Sequence, residues 1–232
     1  MKKLSIVASF YLLFMFIPSF SFSTQPTIAV LDFENNSFFN PEEYNPLSRG
    51  LAEIMITELQ QVKTIHVVER AKLRSILDEL KLSQSGLVSQ ENSIRVGKLL
   101  GAQHLVFGGY IVAMNEKIRI DVRIVEVETG LVIKAGEVTG KAKQILSLVQ
   151  KLSKKILKDL NIKMTKAEEQ TLEKSQKLDM KAVVLFSKGI EFEDKNQREK
   201  AIEFYNKALA IEPEFRQAKM RIQKLTEEEK KS

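Results

Sequence analysis

The chain has 232 residues, 36 basic and 30 acidic side chains, a net charge of +6 and no cysteine. The missing cysteine excludes a disulfide scaffold, a thiolate zinc site, a cysteine nucleophile and lipid attachment through cysteine. The small charge excess gives no reason to expect nucleic acid as a partner without a basic patch.

The first 23 residues have the shape of a secretory signal peptide: Lys2 and Lys3, an almost unbroken apolar run from Leu4 to Phe22, and small residues at Ser21 and Ser23. Cleavage between Ser23 and Thr24 leaves residues 24–232 and lowers the net charge to +4. The alternative is an uncleaved anchor, since the run is near the minimum spanning length of about 17 residues. Pro18 and the small-residue site favour cleavage. Export removes the chain from a supply of ATP and sets aside many enzyme classes. With no tryptophan and only 5 prolines, the exported part has the composition of a folded chain long enough for one medium domain and a small one.

Thr27 to Phe33 is a short apolar run expected to form a buried strand, and the Asn- and Pro-rich stretch Glu34 to Pro46 is expected to be a loop. Leu47, Leu51, Ile54, Met55, Leu59 and Val62 recur at helical spacing and predict an amphipathic helix. Thr64 to Glu69 predicts a second strand. Leu73, Ile76, Leu77 and Leu80 predict a helix broken near Gly86, and a third helix starts at a Ser89 N-cap and ends at Gly101. His104 to Val112 predicts a strand whose two central glycines, Gly108 and Gly109, signal a bulge or a close backbone approach.

Ile118, Ile120, Val122 and Ile124 then alternate with Lys117, Arg119, Asp121 and Arg123. The apolar phase shifts to Val125 and Val127, which predicts a bulge or a strong twist near Ile124. Glu128-Thr129-Gly130 is a turn, and Leu131 to Lys141 returns as the paired strand of a hairpin. Ile145 to Leu160 is a long amphipathic helix. The order β-α-β-α-α-β-β-β-α predicts an α/β domain, a mixed sheet covered by helices, over residues 24–162. Residues 163–181 are polar and charged and are expected to form a helical or flexible linker.

Residues 182–232 are expected to form a small all-α unit. The stretch 182–215 matches a single tetratricopeptide repeat, a helix–turn–helix of about 34 residues. Counted from Ala182, its signature positions hold Gly189, Ala201, Tyr205, Ala208 and Pro213; Leu185 and Phe192 fill two more, and Lys188 departs from the usual apolar residue. Small residues let the helices approach, the aromatic fills the gap between them, and proline ends the second helix. Phe215 to Leu225 predicts a capping helix. A self-sufficient array needs about three repeats, so a single one points to docking or oligomer contact rather than a peptide groove.

Three segments resemble the curli production assembly/transport component (CsgG-like) family over residues 27–160: Ile28 to Phe33; Ile65 to Leu73 with Gly101-Ala102 and Phe107 to Tyr110; and Val122 to Gly130. The resemblance implies a periplasmic or outer-membrane setting and protein partners in the cell envelope, with self-association among them. The family includes a ring-forming secretion channel, accessory lipoproteins that activate cell-wall synthases, and flagellum-associated proteins. This chain lacks the lipidated cysteine, and only Ala113 to Glu116 stands where the channel carries a membrane hairpin. A membrane hairpin needs strands of about 9–11 residues.

Catalytic and metal signals are weak. His66 and His104 fall within predicted strands, with no carboxylate at ligand spacing. No phosphate-binding glycine loop or nucleophile elbow is present. Glu42-Glu43 and Glu168-Glu169 lie in polar stretches expected to be solvated. Lys151, Lys154, Lys155 and Lys158 on the long helix are candidates for contact with anionic headgroups or cell-wall polymers, against the plain reading of a solvated helix face. No cofactor, metal or small-molecule substrate is implied.

The reading is a non-enzymatic periplasmic accessory or scaffold protein that binds other proteins at the outer membrane. The alternatives are a channel subunit and an envelope hydrolase.

Overall fold

The computed structural model describes residues 25–80, 90–114, 116–173 and 177–229. Its elements are β1 (Thr27–Val30), β2 (Glu34–Asn35), α1 (Pro41–Tyr44), α2 (Leu47–Leu59), β3 (His66–Val67), α3 (Arg70–Glu79), α4 (Gln90–Leu100), β4 (His104–Ala113), β5 (Lys117–Glu126) and β6 (Val132–Lys141). A 3-10 turn at Ala142–Gln144 leads into α5 (Ile145–Asp159), α6 (Lys166–Glu173), α7 (Met180–Asp194), α8 (Arg198–Ile211) and α9 (Arg216–Glu229). The expected cleavage site at Ser23 and Thr24, the Gly86 break and the Ser89 cap lie outside the described residues.

The sheet has the order β3-β1-β4-β5-β6, with β2 paired to β4. β1 is parallel to both neighbours, and β4, β5 and β6 form an antiparallel meander. β1 is a continuous apolar run because helices cover both its faces. Ile28 and Val30 enter a large core with α2 and α5, while Ala29 and Leu31 enter a smaller core with α3 and α4. β5 alternates because, along most of its length, only one face is covered. Ile118, Ile120, Val122 and Ile124 point into the large core, and Val125 and Val127 into the smaller one. The expected phase shift is a register shift between Ile124 and Val125, which turns the apolar side from α5 toward α4.

Four expectations need correction. The stretch 34–46 is not all loop: Asn36 N–H donates to Tyr110 O beyond β2, and Pro41 opens α1 after Asn40 in the left-handed region at φ 43°. The second strand shrinks to His66–Val67. Residues 163–181 contain α6 and bury Leu172 and Leu178 in the large core. Glu168 does not simply face solvent: it accepts from Lys63 N at 3.0 Å and from Thr165 N at 2.7 Å, and these bonds hold its carboxyl below the ordinary range.

The largest difference concerns α2. Its expected polar side is buried as well, including Glu53, Thr57 and Glu58. The sheet and α5 take one side, and α7 takes the other. A Cβ on Gly50 would stand 1.8 Å from Ser187 Oγ, so α2 and α7 meet where neither has bulk. One continuous hydrophobic core therefore runs from β4 and β5 through α2 into the C-terminal helices.

Candidate binding surfaces

Of the hairpin signature residues, Gly189 and Tyr205 meet across α7 and α8. Leu185, Gly189 and Phe192 lie on α7, Ala201, Tyr205 and Ala208 on α8, and Pro213 just past the end of α8. A Cβ on Gly189 would meet the Tyr205 ring at 2.4 Å, so the missing side chain is what admits the ring. Tyr205 is fully buried, 5.6 Å from Phe186 by ring centroids, and its hydroxyl donates to Glu193 Oε2 at 2.6 Å. Phe215 packs on Phe186 at 4.9 Å and brings α9 over the pair. The face of α7 that carries Val183 and Ser187 is spent on α2, so it is closed to a ligand.

A buried ionic cluster ties the hairpin to the sheet. Arg70, at the start of α3, reaches Asp32 at the end of β1 (Nη1–Oδ1 2.5 Å) and Asp194 at the end of α7 (Nη2–Oδ2 2.6 Å, Nε–Oδ1 3.1 Å). Arg49 also reaches Asp194, at 3.2 Å. Nearby, Arg221 pairs with Glu53 at 2.5 Å and Glu193 at 3.0 Å. Glu58 accepts from Gln150, Arg216 and Gln217 at 3.1–3.2 Å. Burial pushes the Glu53 and Glu58 carboxyls above their ordinary value, with Arg221 and Arg216 pulling the other way. No role was expected of Asp32, Arg70 or Asp194 from their place in the sequence. The available signal was an aspartate closing an apolar strand and an arginine opening a helix.

The sheet offers an open surface. α3 and α4 cover only its β3-β1-β4 side, so Arg119, Asp121 and Arg123 of β5 face solvent. With Glu34, Asn36, Phe107, Gly109, Ala135 and Glu137 they line a groove of about 660 Å³. Arg119 pairs with Asp121 at 2.8 Å and with Glu137 across the strands, and these acids raise its pKa. Arg123 has no ion-pair partner among the described residues. Gly109 is a close approach of the kind expected: a Cβ there would meet Asn36 Nδ2 at 2.5 Å. β6 forms the edge of the sheet, its outer side unpaired among the described residues, and Leu131, Val132 and Ile133 are exposed at its start.

The lysine face of α5 is partly neutralised. Lys154 pairs with Glu173 at 2.6 Å and Lys155 with Asp159 at 2.9 Å, while Lys151 and Lys158 are exposed without an ion pair among the described residues. His66 and His104 lie on β3 and β4, on either side of β1. Burial lowers the His104 pKa. Among the described residues there is no group of three or more His, Cys, Asp or Glu arranged to hold a metal, and no helix long and apolar enough to cross a membrane.

Strand order, paired cores and an uncovered sheet face define an α/β domain with one open sheet surface. The family model of the curli production assembly/transport component CsgG matches residues 17–119, and the N-terminal part of the chain is similar to that family. Among solved structures, the chain is similar to the LpoB C-terminal domain from Salmonella enterica, at 18% identity over 50% of this chain and 83% of that one, with a TM-score of 0.37. Lipoprotein GNA1162 from Neisseria meningitidis shares 12% identity over 60% of this chain and 99% of that one, with a TM-score of 0.42. A PelC dodecamer from Paraburkholderia phytofirmans shares 13% identity over 60% and 89%, with a TM-score of 0.38. No curated protein sequence matches this chain.

Proposed function

We propose that this is a non-enzymatic accessory or scaffold protein of the cell envelope, exported by residues 1–23 and acting in the periplasm at the outer membrane by binding other proteins. The family match over residues 17–119 and the apolar N-terminal run support that setting. Within it, residues 24–162 form the binding domain, 163–181 a joining segment, and 182–232 a single tetratricopeptide-type hairpin with its capping helix.

The observation that carries the reading is the open face and free edge of the β4-β5-β6 meander beside a hairpin whose own face is closed. The hairpin is then a stabilising buttress, and the partner, or a second copy of this chain, meets the sheet. A channel subunit is the weaker alternative. β4 and β5 are joined through residues 114–116, at the place where the channel carries a membrane hairpin.

The test is affinity capture from envelope extract by the chain starting at Thr24. R119E/R123E is expected to lose the captured protein, whereas K151E/K158E on α5 keeps it. Retention by the sheet-face variant would overturn the reading. Sedimentation of both variants reports self-association separately.

A further inference from the structure

A cavity of about 570 Å³ lies between α3, the turn from α7 to α8, and α9. Five cations line it: Arg70 and Arg74 from α3, Arg198 from α8, and Arg221 and Lys224 from α9. Three acids share the wall, Asp78, Glu193 and Asp194. Sites for small molecules typically have volumes of about 300–1,000 Å³, so the space suits one.

The acids of the wall are already committed. Asp194 accepts twice from Arg70 and pairs with Arg49, and Glu193 accepts from the Tyr205 hydroxyl and from Arg221 Nη1. Asp78 is largely exposed. Arg70, Arg221 and Lys224 are also held from outside the wall, by Asp32, Glu53 and Glu69. Arg74 has no such partner. Its two acids, Asp78 and Asp194, lie at 3.6 and 3.9 Å, beyond hydrogen-bond reach, and its guanidinium makes no hydrogen bond to a described residue. Among the residues of the wall, the buried side-chain atoms without a hydrogen bond are both donors, Arg74 Nε and Arg221 Nε. Donors therefore outnumber acceptors here, and a buried donor left unpaired is costly. The Arg74 side chain is still 24% exposed, so the cavity reaches it.

We propose that this cavity binds the oxyanion group, phosphate or carboxylate, of a small molecule. An oxyanion brings acceptors without donors, and a guanidinium fork meets it with two N–H groups at once. Arg74 is the anchor, and Arg221 and Lys224 add positive charge from α9. A cationic ligand would face five like charges on the wall. α3 covers the sheet and α9 caps the hairpin, so a bound anion bridges the two and stabilises their contact. The site is separate from the sheet face proposed above to meet the partner, and neither reading depends on the other.

Inorganic phosphate and acetate are the probes, titrated into the chain starting at Thr24 with sodium chloride holding the ionic strength constant. Phosphate at ten times its half-saturating concentration is expected to raise the unfolding temperature by about 3 °C. Its own phosphorus resonance should broaden in a saturable way. Arg74→Gln removes no hydrogen bond within the chain, so it should fold as before and weaken phosphate binding by about tenfold. Arg74→Lys, which keeps the charge and loses the fork, should weaken it less, and Lys151→Gln on α5 should leave it unchanged. Whichever probe saturates at the lower concentration identifies the group as phosphate or carboxylate. No saturable binding of either anion, an affinity that Arg74→Gln leaves as it was, or a stabilisation that chloride reproduces at equal ionic strength would each overturn the proposal.

Discussion

Arg70 and Asp194 are 124 positions apart in sequence and joined by two hydrogen bonds of 2.6 and 3.1 Å, with Arg70 also held by Asp32. Both side chains of the pair are almost wholly buried. The guanidinium thus fastens the end of the hairpin to the end of the central strand, in the geometry that makes arginine suited to two carboxylates at once.

Removing that cation leaves Asp32 with only the more distant Arg49, at 4.0 Å, and Asp194 with Arg49 and Arg74, at 3.2 and 3.9 Å. Arg70→Met is expected to cost about 3–5 kcal/mol in urea unfolding, because uncompensated buried charge is far more costly than a lost pair. Adding Asp194→Asn should recover part of the loss. Strict additivity of the two changes would show that they do not interact.

Gly50→Ala tests the contact between α2 and α7. The added methyl overlaps Ser187 Oγ, so a loss of about 1–3 kcal/mol is expected from overpacking. Ser187→Gly removes the obstructing side chain and should make the alanine less harmful. If Gly50→Ala is neutral in the natural background, α7 does not seat on α2 in solution.

Tyr205→Phe keeps the ring between α7 and α8 and removes only the hydroxyl on Glu193. A loss of about 1–2 kcal/mol is expected, since a carboxylate oxygen loses a donor at a largely buried site. Tyr205→Ala should cost about 3–5 kcal/mol through the cavity it leaves. Thermal or urea unfolding of the pair separates hydrogen bonding from packing.

The pH dependence of stability should carry the signature of Glu58. Burial raises its folded carboxyl above the ordinary value of 4.5, so the folded state holds the proton more tightly than the unfolded chain. Its contribution is then fully present below that value and is lost as pH rises through the folded pKa. Relative to Glu58→Gln, the natural chain should gain stability as pH falls from 7 toward 4.5. A difference between the two that does not change with pH would refute the buried-acid reading. His104 has the opposite sign: its lowered pKa makes stability fall on acidification below the imidazole's ordinary value of 6.5.

Much of the architecture was legible from local pattern. The run from Thr27 announced a buried strand, the alternation of Lys117 to Ile124 a strand with one apolar face, and the phase change at Val125 an irregularity that the register shift shows. The spacing of Gly189, Ala201, Tyr205 and Ala208 placed ring against glycine within one hairpin. These features depend on neighbours a few residues apart or on which face of an element is apolar, and periodicity records both.

The second cover of α2 was not legible, because the helix carries Glu53 and Glu58 on the side that α7 and α9 bury. Polar letters there look like solvent until Arg221, Arg216 and Gln217 arrive from the far end of the chain. The same holds for Asp32, Arg70 and Asp194, whose pairing is a contact between three distant segments. Sequence alone determined the elements and their apolar faces. Tertiary structure decided which charges are buried, because burial depends on what the rest of the chain brings to each surface.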